Sequence, residues 1–341
     1  MNNEKAFIGN SDQLLKARRI TFRDGMAEGV KAIELQNNSG LFATVIEDQC
    51  LNIYDFSYKG INFAFQTKNG LVSNNYFNGG VNEFSYYWPA GMLYTCGLAN
   101  VGEPNVDGGV YHPQHGRIGM TSASNVSIDY LDNGVMVKGS VKDTLFCGHN
   151  LELKRQIFFP KNGKEITFSD KIVNLEPTAE EFMYMYHFNF GYPLLSPNAR
   201  MVKGDGKIID VIGTAFHPED CSKVTAPHIE KTEEVYLHTA TPDSDGFGYV
   251  ALINDELKLG AYVKYKMDTL PYIVEWKNFI AHDYAMGIEP TNCYILGRTK
   301  ERANGTLLTI EGYGSLSYEV TLGVLDGEEE IKNFERSFNK K

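Results

Sequence analysis

The chain has 341 residues, with 43 acidic side chains against 32 basic ones and a net charge of −11. A surface of that sign repels a phosphate backbone and an anionic leaflet, so nucleic-acid and membrane-surface partners are not expected. The apolar fraction of 43% allows a large core and excludes disorder and collagen-like repeats, and no apolar run approaches the roughly 18 residues of a membrane span. The five cysteines, Cys50, Cys96, Cys147, Cys221 and Cys293, form no CxxC pair. That sparse set reads as reduced thiols. No signal-peptide h-region follows Met1, so a cytoplasmic protein is expected.

In chain order, SDQLLKARR (11–19) is the best helical candidate, with Ser11 or Asp12 as cap. GVKAIELQ from Gly29 and LFATVIED read as strands around a turn at 37–40. Residues 73–125 break the pattern: they hold no long strand and are dense in Gly, Asn, Pro and aromatics. A long irregular stretch of this kind usually carries function on a rigid scaffold. VSIDYL and VMVKGSV flank Asp132-Asn133-Gly134, and LELKRQIFF and EITFSDKIV flank Lys161-Asn162-Gly163. Both are hairpin signals, because Asn-Gly accepts positive φ. EEFMYMYHFNF, VALINDELKLGAYVKY, YIVEW, TLLTIEG and LSYEVTLGVL continue the period of two. There is no linker and no long repeat. The expectation is one domain over 1–341, an all-β, large antiparallel β-sandwich, with a lead-in at 1–25 and a charged, partly helical tail at 328–341.

Four spots offer chemistry. His115-Gly116-Arg117 places donors beside a glycine that permits close backbone approach, although alone it reads as a surface turn. In FMYMYHFNF, alternation puts Phe182, Tyr184, Tyr186 and Phe188 on one face and Met183, Met185, His187 and Asn189 on the other. A histidine and an asparagine on an otherwise apolar face need partners or a polar cavity. Glu289 in GIEPT sits at an expected strand end, where partial burial raises a carboxyl pKa toward general-base range. Trp276 and Asn278 in EWKNF, with Trp88 in YYWPAG, supply flat apolar faces and hydrogen bonds of the kind that sugars take.

Taken together, GLFATVIEDQCLNIYDFSYKG, GMLYTCGLANVGEP, HGRIG, HFNFGYPLL and GIEPTNCYILGRTKERANGTLLTIEGYGSLSYEVTLGVLDG resemble the aldose 1-epimerase (galactose mutarotase) superfamily. Within it the chain is similar to a mutarotase-like branch of unassigned substrate, a domain of unknown function. The resemblance implies a galactose mutarotase-like supersandwich that interconverts the anomers of a hexose. It implies His187 as the acid on the ring oxygen and Glu289 as the base on the anomeric hydroxyl. His115 and Arg117 would hold ring-side oxygens, with Asn189, Trp276, Asn278 and Trp88 also on the sugar. No metal and no organic cofactor is implied, and the partner is a small sugar bound by a monomer or homodimer. Gln49 and Asn52 depart from charged positions of that branch, and Asp268 or Asp283 would be the hydroxyl-reading aspartate. Three alternatives accompany this reading: a non-catalytic carbohydrate-binding protein, a cupin-type isomerase using His112 and His115, and a polysaccharide lyase.

Overall fold

The computed structural model describes residues 6–213 and 221–338. Among them, two large antiparallel sheets carry nearly all the regular structure. The first runs, in spatial order, Leu15–Thr21, Lys31–Asn37, Leu41–Ile46, Asn52–Tyr58, Leu93–Leu98, Glu180–Phe190, Ala285–Thr291, Tyr272–Asn278, Glu234–Thr239 and Ile208–Gly213. The second runs Ala199–Lys203, Phe247–Asn254, Leu259–Lys266, Ser315–Asp326, Glu165–Asn174, Asn150–Pro160, Gly134–Thr144 and Ser124–Leu131. One buried cluster draws on both, with Phe182, Tyr184, Tyr186 and Phe188 meeting Ile157, Phe168 and Val320. Each such side chain fully removed from water contributes about 1.5–3 kcal/mol. The molecule is therefore an antiparallel β-sandwich, as the period-two pattern implies.

Both Asn-Gly hairpins form, joining Ser124–Leu131 to Gly134–Thr144 and Asn150–Pro160 to Glu165–Asn174. The charged tail becomes the helix Glu328–Phe338, whose Ile331 and Phe334 pack on Leu325 and Tyr262. Two expectations fail. SDQLLKARR is not a helix: Ser11–Gln13 is a single 3-10 turn capped by the Asn10 side chain, and Leu15–Thr21 then pairs with Lys31–Asn37. Leu15 and Ala17 reach the core from that strand, so pairing and burial together outweigh a weak helical preference. The irregular stretch 73–125 also contains a six-residue strand, Leu93–Leu98, at the centre of the first sheet. All six of its residues are buried, so the alternation that marks a half-exposed strand is missing.

The inter-sheet core contains one buried ionic cluster. Arg155 and Asp170 pair across neighbouring strands of the second sheet, and the Arg155 Nη2 donates to Asp170 Oδ2 at 2.7 Å. Tyr184 and Tyr186, from the first sheet, donate their hydroxyls to the same oxygen at 2.7 and 2.6 Å. Arg155 also donates to the Cys50 carbonyl and to Thr95 Oγ1. The cluster thus clasps the strand Glu180–Phe190 from its core side. No described helix is long and apolar enough to cross a membrane.

Candidate active site

His187 lies on Glu180–Phe190, and its ring projects from the face opposite Tyr186 and Phe188. The adjacent strand Ala285–Thr291 carries Glu289, and the next one carries Trp276. Strand order alone therefore brings together residues that are distant in sequence. Gly287 keeps the space clear: a Cβ there would stand 2.1 Å from Glu289 Oε1.

These residues line a cavity of about 320 Å³ together with Phe84, Trp88, His115 and Glu233. The His187 ring stands 5.5 Å from each of Trp88, Trp276 and His115, so aromatic groups surround it on three sides. His187 Nδ1 and Glu289 Oε1 are 3.2 Å apart, but not aligned as a hydrogen bond. Trp88 Nε1, His187 Nδ1 and Glu289 Oε1 are all buried without a hydrogen-bond partner among the described residues. Three orphaned polar atoms in one cavity carry a desolvation cost that a polar ligand removes.

The electrostatics follow from burial. Desolvation pushes the Glu289 carboxyl well above its usual range, and the charge of Glu233 adds to the effect. Desolvation pushes His187 well below its usual value, with His115 as the second cause. Burial also lowers His115 to about 4, so both imidazoles are neutral at pH 7. The Gly102 amide donates to His115 Nδ1 at 3.3 Å, which leaves Nε2 as the protonated nitrogen of the neutral ring. Trp276 is held by its own indole N–H, which donates to Glu233 Oε2 at 3.0 Å.

The structure does not bring every expected residue to this cavity. Arg117 is exposed and its guanidinium donates to the Asn78 carbonyl at 3.5 Å. It braces the segment 74–88 that delivers Phe84 and Trp88, rather than facing the cavity. Gly116 makes its close approach to the Gly97 carbonyl. Asn278 lies beyond Trp276 at the strand end and donates to the Asp283 carbonyl. Asn189 is buried beneath the site, where its amide donates to the Gly91 and His187 carbonyls. Gln49 and Asn52 are structural: they donate to the carbonyls of Val72 and Gly119, so their lost charge touches no cavity. The Asp283 carboxylate pairs with Lys68, and neither it nor Asp268 lines the cavity. His112 and His115 line different cavities, and among the described residues no three His, Cys, Asp or Glu side chains converge as the cupin-type reading requires.

Sequence reasoning missed Phe84, Gly102 and Glu233. Phe84 lies within the aromatic-rich irregular stretch, and Gly102 within the distinctive GLANVGEP block, so both had a local signal. Glu233 had none, because it is one acidic residue among several in EKTEEV.

This sandwich has the fold of galactose mutarotase-like proteins. A Klebsiella pneumoniae protein provisionally described as an aldose 1-epimerase superposes with a TM-score of 0.88 at 21% identity, covering 97% of this chain and 90% of that one. A galactose mutarotase-like protein from Clostridium acetobutylicum gives 0.65 at 15% identity over 92% and 99% of the two chains. The galactose 1-epimerase of Lactobacillus acidophilus gives 0.59 at 12% identity over 92% and 100%. The chain belongs to the DUF4432 family, a domain of unknown function, whose profile matches residues 27–324. No curated protein matches it in sequence.

Proposed function

We propose that this protein is an isomerase of the aldose 1-epimerase type, acting on a small sugar. The observation that carries the proposal is the contact of His187 Nδ1 with Glu289 Oε1, at 3.2 Å, inside a cavity walled by two indoles. The ring oxygen and the anomeric hydroxyl of a pyranose are bonded to the same carbon, so an acid and a base serving them must themselves be neighbours. Trp88 and Trp276 offer apolar faces to the sugar, and the neutral His115 offers an Nε2–H donor.

The pair shares one proton. Burial holds it on Glu289 before a sugar binds. Hydroxyl donors of a bound sugar favour the carboxylate and move the proton to His187. Glu289 then takes the proton of the anomeric hydroxyl while His187 protonates the ring oxygen. The bond from C1 to the ring oxygen breaks, and C1 becomes an aldehyde. Rotation about C1–C2 exposes the other face. Closure runs in reverse, with Glu289 returning its proton to the carbonyl oxygen and His187 removing the one from the attacking hydroxyl. No net proton is gained or lost.

Polarimetry of freshly dissolved aldoses, sugar phosphates and sugar acids tests this reading. The protein accelerates the approach to anomeric equilibrium for at least one of them, and Glu289→Gln abolishes the acceleration while sugar binding persists. Binding without acceleration across the panel would make it a carbohydrate-binding protein instead.

A further inference from the structure

A second cavity, of about 900 Å³, lies behind the wall of the first. Ala99, Asp107 and Arg298 face it, whereas Gly102, Glu103 and Lys300 face the cavity of His187 and Glu289. Its charges do not balance. Arg298 donates to Asp107 at 3.1 Å and to Glu181 at 3.2 Å. Arg302 reaches the same two carboxylates at 2.7 and 2.5 Å. Those two cations are therefore matched by two anions. Glu180 makes only a 3.8 Å contact with the engaged Arg298, and Glu176, also on the lining, pairs with no described cation. Any charge on His149 is matched by Asp143, 3.2 Å away.

A separate observation points to a ligand. His112 lines this cavity, is only 7% exposed, and its imidazole makes no hydrogen bond to any described residue. Burial, then the charge of Arg298, lowers its pKa, so the ring is neutral at pH 7 and keeps an acceptor nitrogen. An acceptor that lines a cavity and has no protein donor is open to a ligand's N–H. Among the described residues, no three His, Cys, Asp or Glu side chains converge to hold a metal ion. Val110, Leu145 and Leu151 give the same cavity an apolar wall. An N–H donor, a positive charge and a hydrocarbon portion together describe one ligand class.

We propose that this cavity is a second small-molecule site, for an organic amine. Glu176 and Glu180 hold the ammonium, His112 accepts one of its N–H bonds, and the hydrocarbon lies against Val110 and Leu145. The site is independent of the sugar chemistry and stands whether or not the protein is an isomerase.

Benzylamine, its neutral isostere benzyl alcohol, benzoate and the aliphatic diamine putrescine test the site on the full-length protein. Calorimetry at low salt reads affinity, and histidine-selective NMR reads His112. At least one amine binds saturably at millimolar concentration or below, shifts the His112 ring resonances, and binds about tenfold or more tightly than the alcohol, the contrast expected of a charge-assisted contact. The E176Q/E180Q variant loses that preference while its melting temperature is retained. No saturable amine binding, equal affinity for amine and alcohol, or unmoved His112 resonances in the unsubstituted protein would overturn the assignment. So would undiminished amine preference in the double variant.

Discussion

Asp170→Asn is the most informative single change in the core. The Asp170 carboxylate and the Arg155 side chain are both fully buried. One Asp170 oxygen accepts from Arg155 Nη2 and from two tyrosine hydroxyls, all within 2.7 Å. Asparagine keeps the shape but removes the charge, and in either orientation its amide NH2 meets an Arg155 N–H donor. Breaking a buried pair from one side leaves an uncompensated charge, at a cost of about 3–5 kcal/mol. At about 2 cal/mol/K of unfolding entropy per residue, a chain of this length should lose about 4–7 °C in Tm. Urea and thermal melts followed by circular dichroism read both quantities. The control is the same substitution in an Arg155→Met background, where Asp170 has lost its cation partner and Asp170→Asn costs about 1.5 kcal/mol or less. A loss below about 1 kcal/mol in the single variant would refute the electrostatic argument, as would an equal loss in both backgrounds.

Three further outcomes follow from the site. NMR titration of His115 gives a midpoint near 4. The unfolded ring titrates near 6.5, so the unfolded state gains a proton first and this group's contribution to stability falls as pH drops from about 6.5 to about 4; a midpoint above 6 would contradict the burial assigned to the ring. Gly102→Ala disrupts the donor to His115, because Gly102 has φ +88° and a Cβ there would lie 1.8 Å from the Ile295 carbonyl oxygen. It should cost about 1–3 kcal/mol in urea melts and lower the proposed mutarotation beyond the loss of folded protein. Trp276→Phe keeps an aromatic face but loses the 3.0 Å bond to Glu233. The expected effect is about fivefold weaker sugar binding, near 1 kcal/mol, with kcat changed less than KM; unchanged affinity by calorimetry would remove Trp276 from the binding surface.

Much of the architecture was legible locally. Alternation in EEFMYMYHFNF separated a core face from the face carrying His187, and the two hairpins were marked by Asn-Gly. Such signals arise because side-chain direction in a strand is set by the backbone two residues at a time. Where burial is continuous, as in LYTCGL, that contrast disappears, and Leu93–Leu98 could not be read from its own residues.

The site was only partly legible for a different reason. His187, Glu289, His115 and the two tryptophans could be nominated from residue chemistry and from the family resemblance. The convergence of His187, Glu289 and Trp276 depends on sheet order, which places Glu180–Phe190, Ala285–Thr291 and Tyr272–Asn278 side by side. Arg117 shows the converse: a basic residue beside His115 in sequence turns outward and braces the segment carrying Trp88. Sequence alone determined the alternating strands, their faces and the polar residues that needed a partner, but not Leu15–Thr21 or Leu93–Leu98. Tertiary structure decided which of those residues share a cavity, because adjacency in a sheet is set by long-range pairing and not by spacing along the chain.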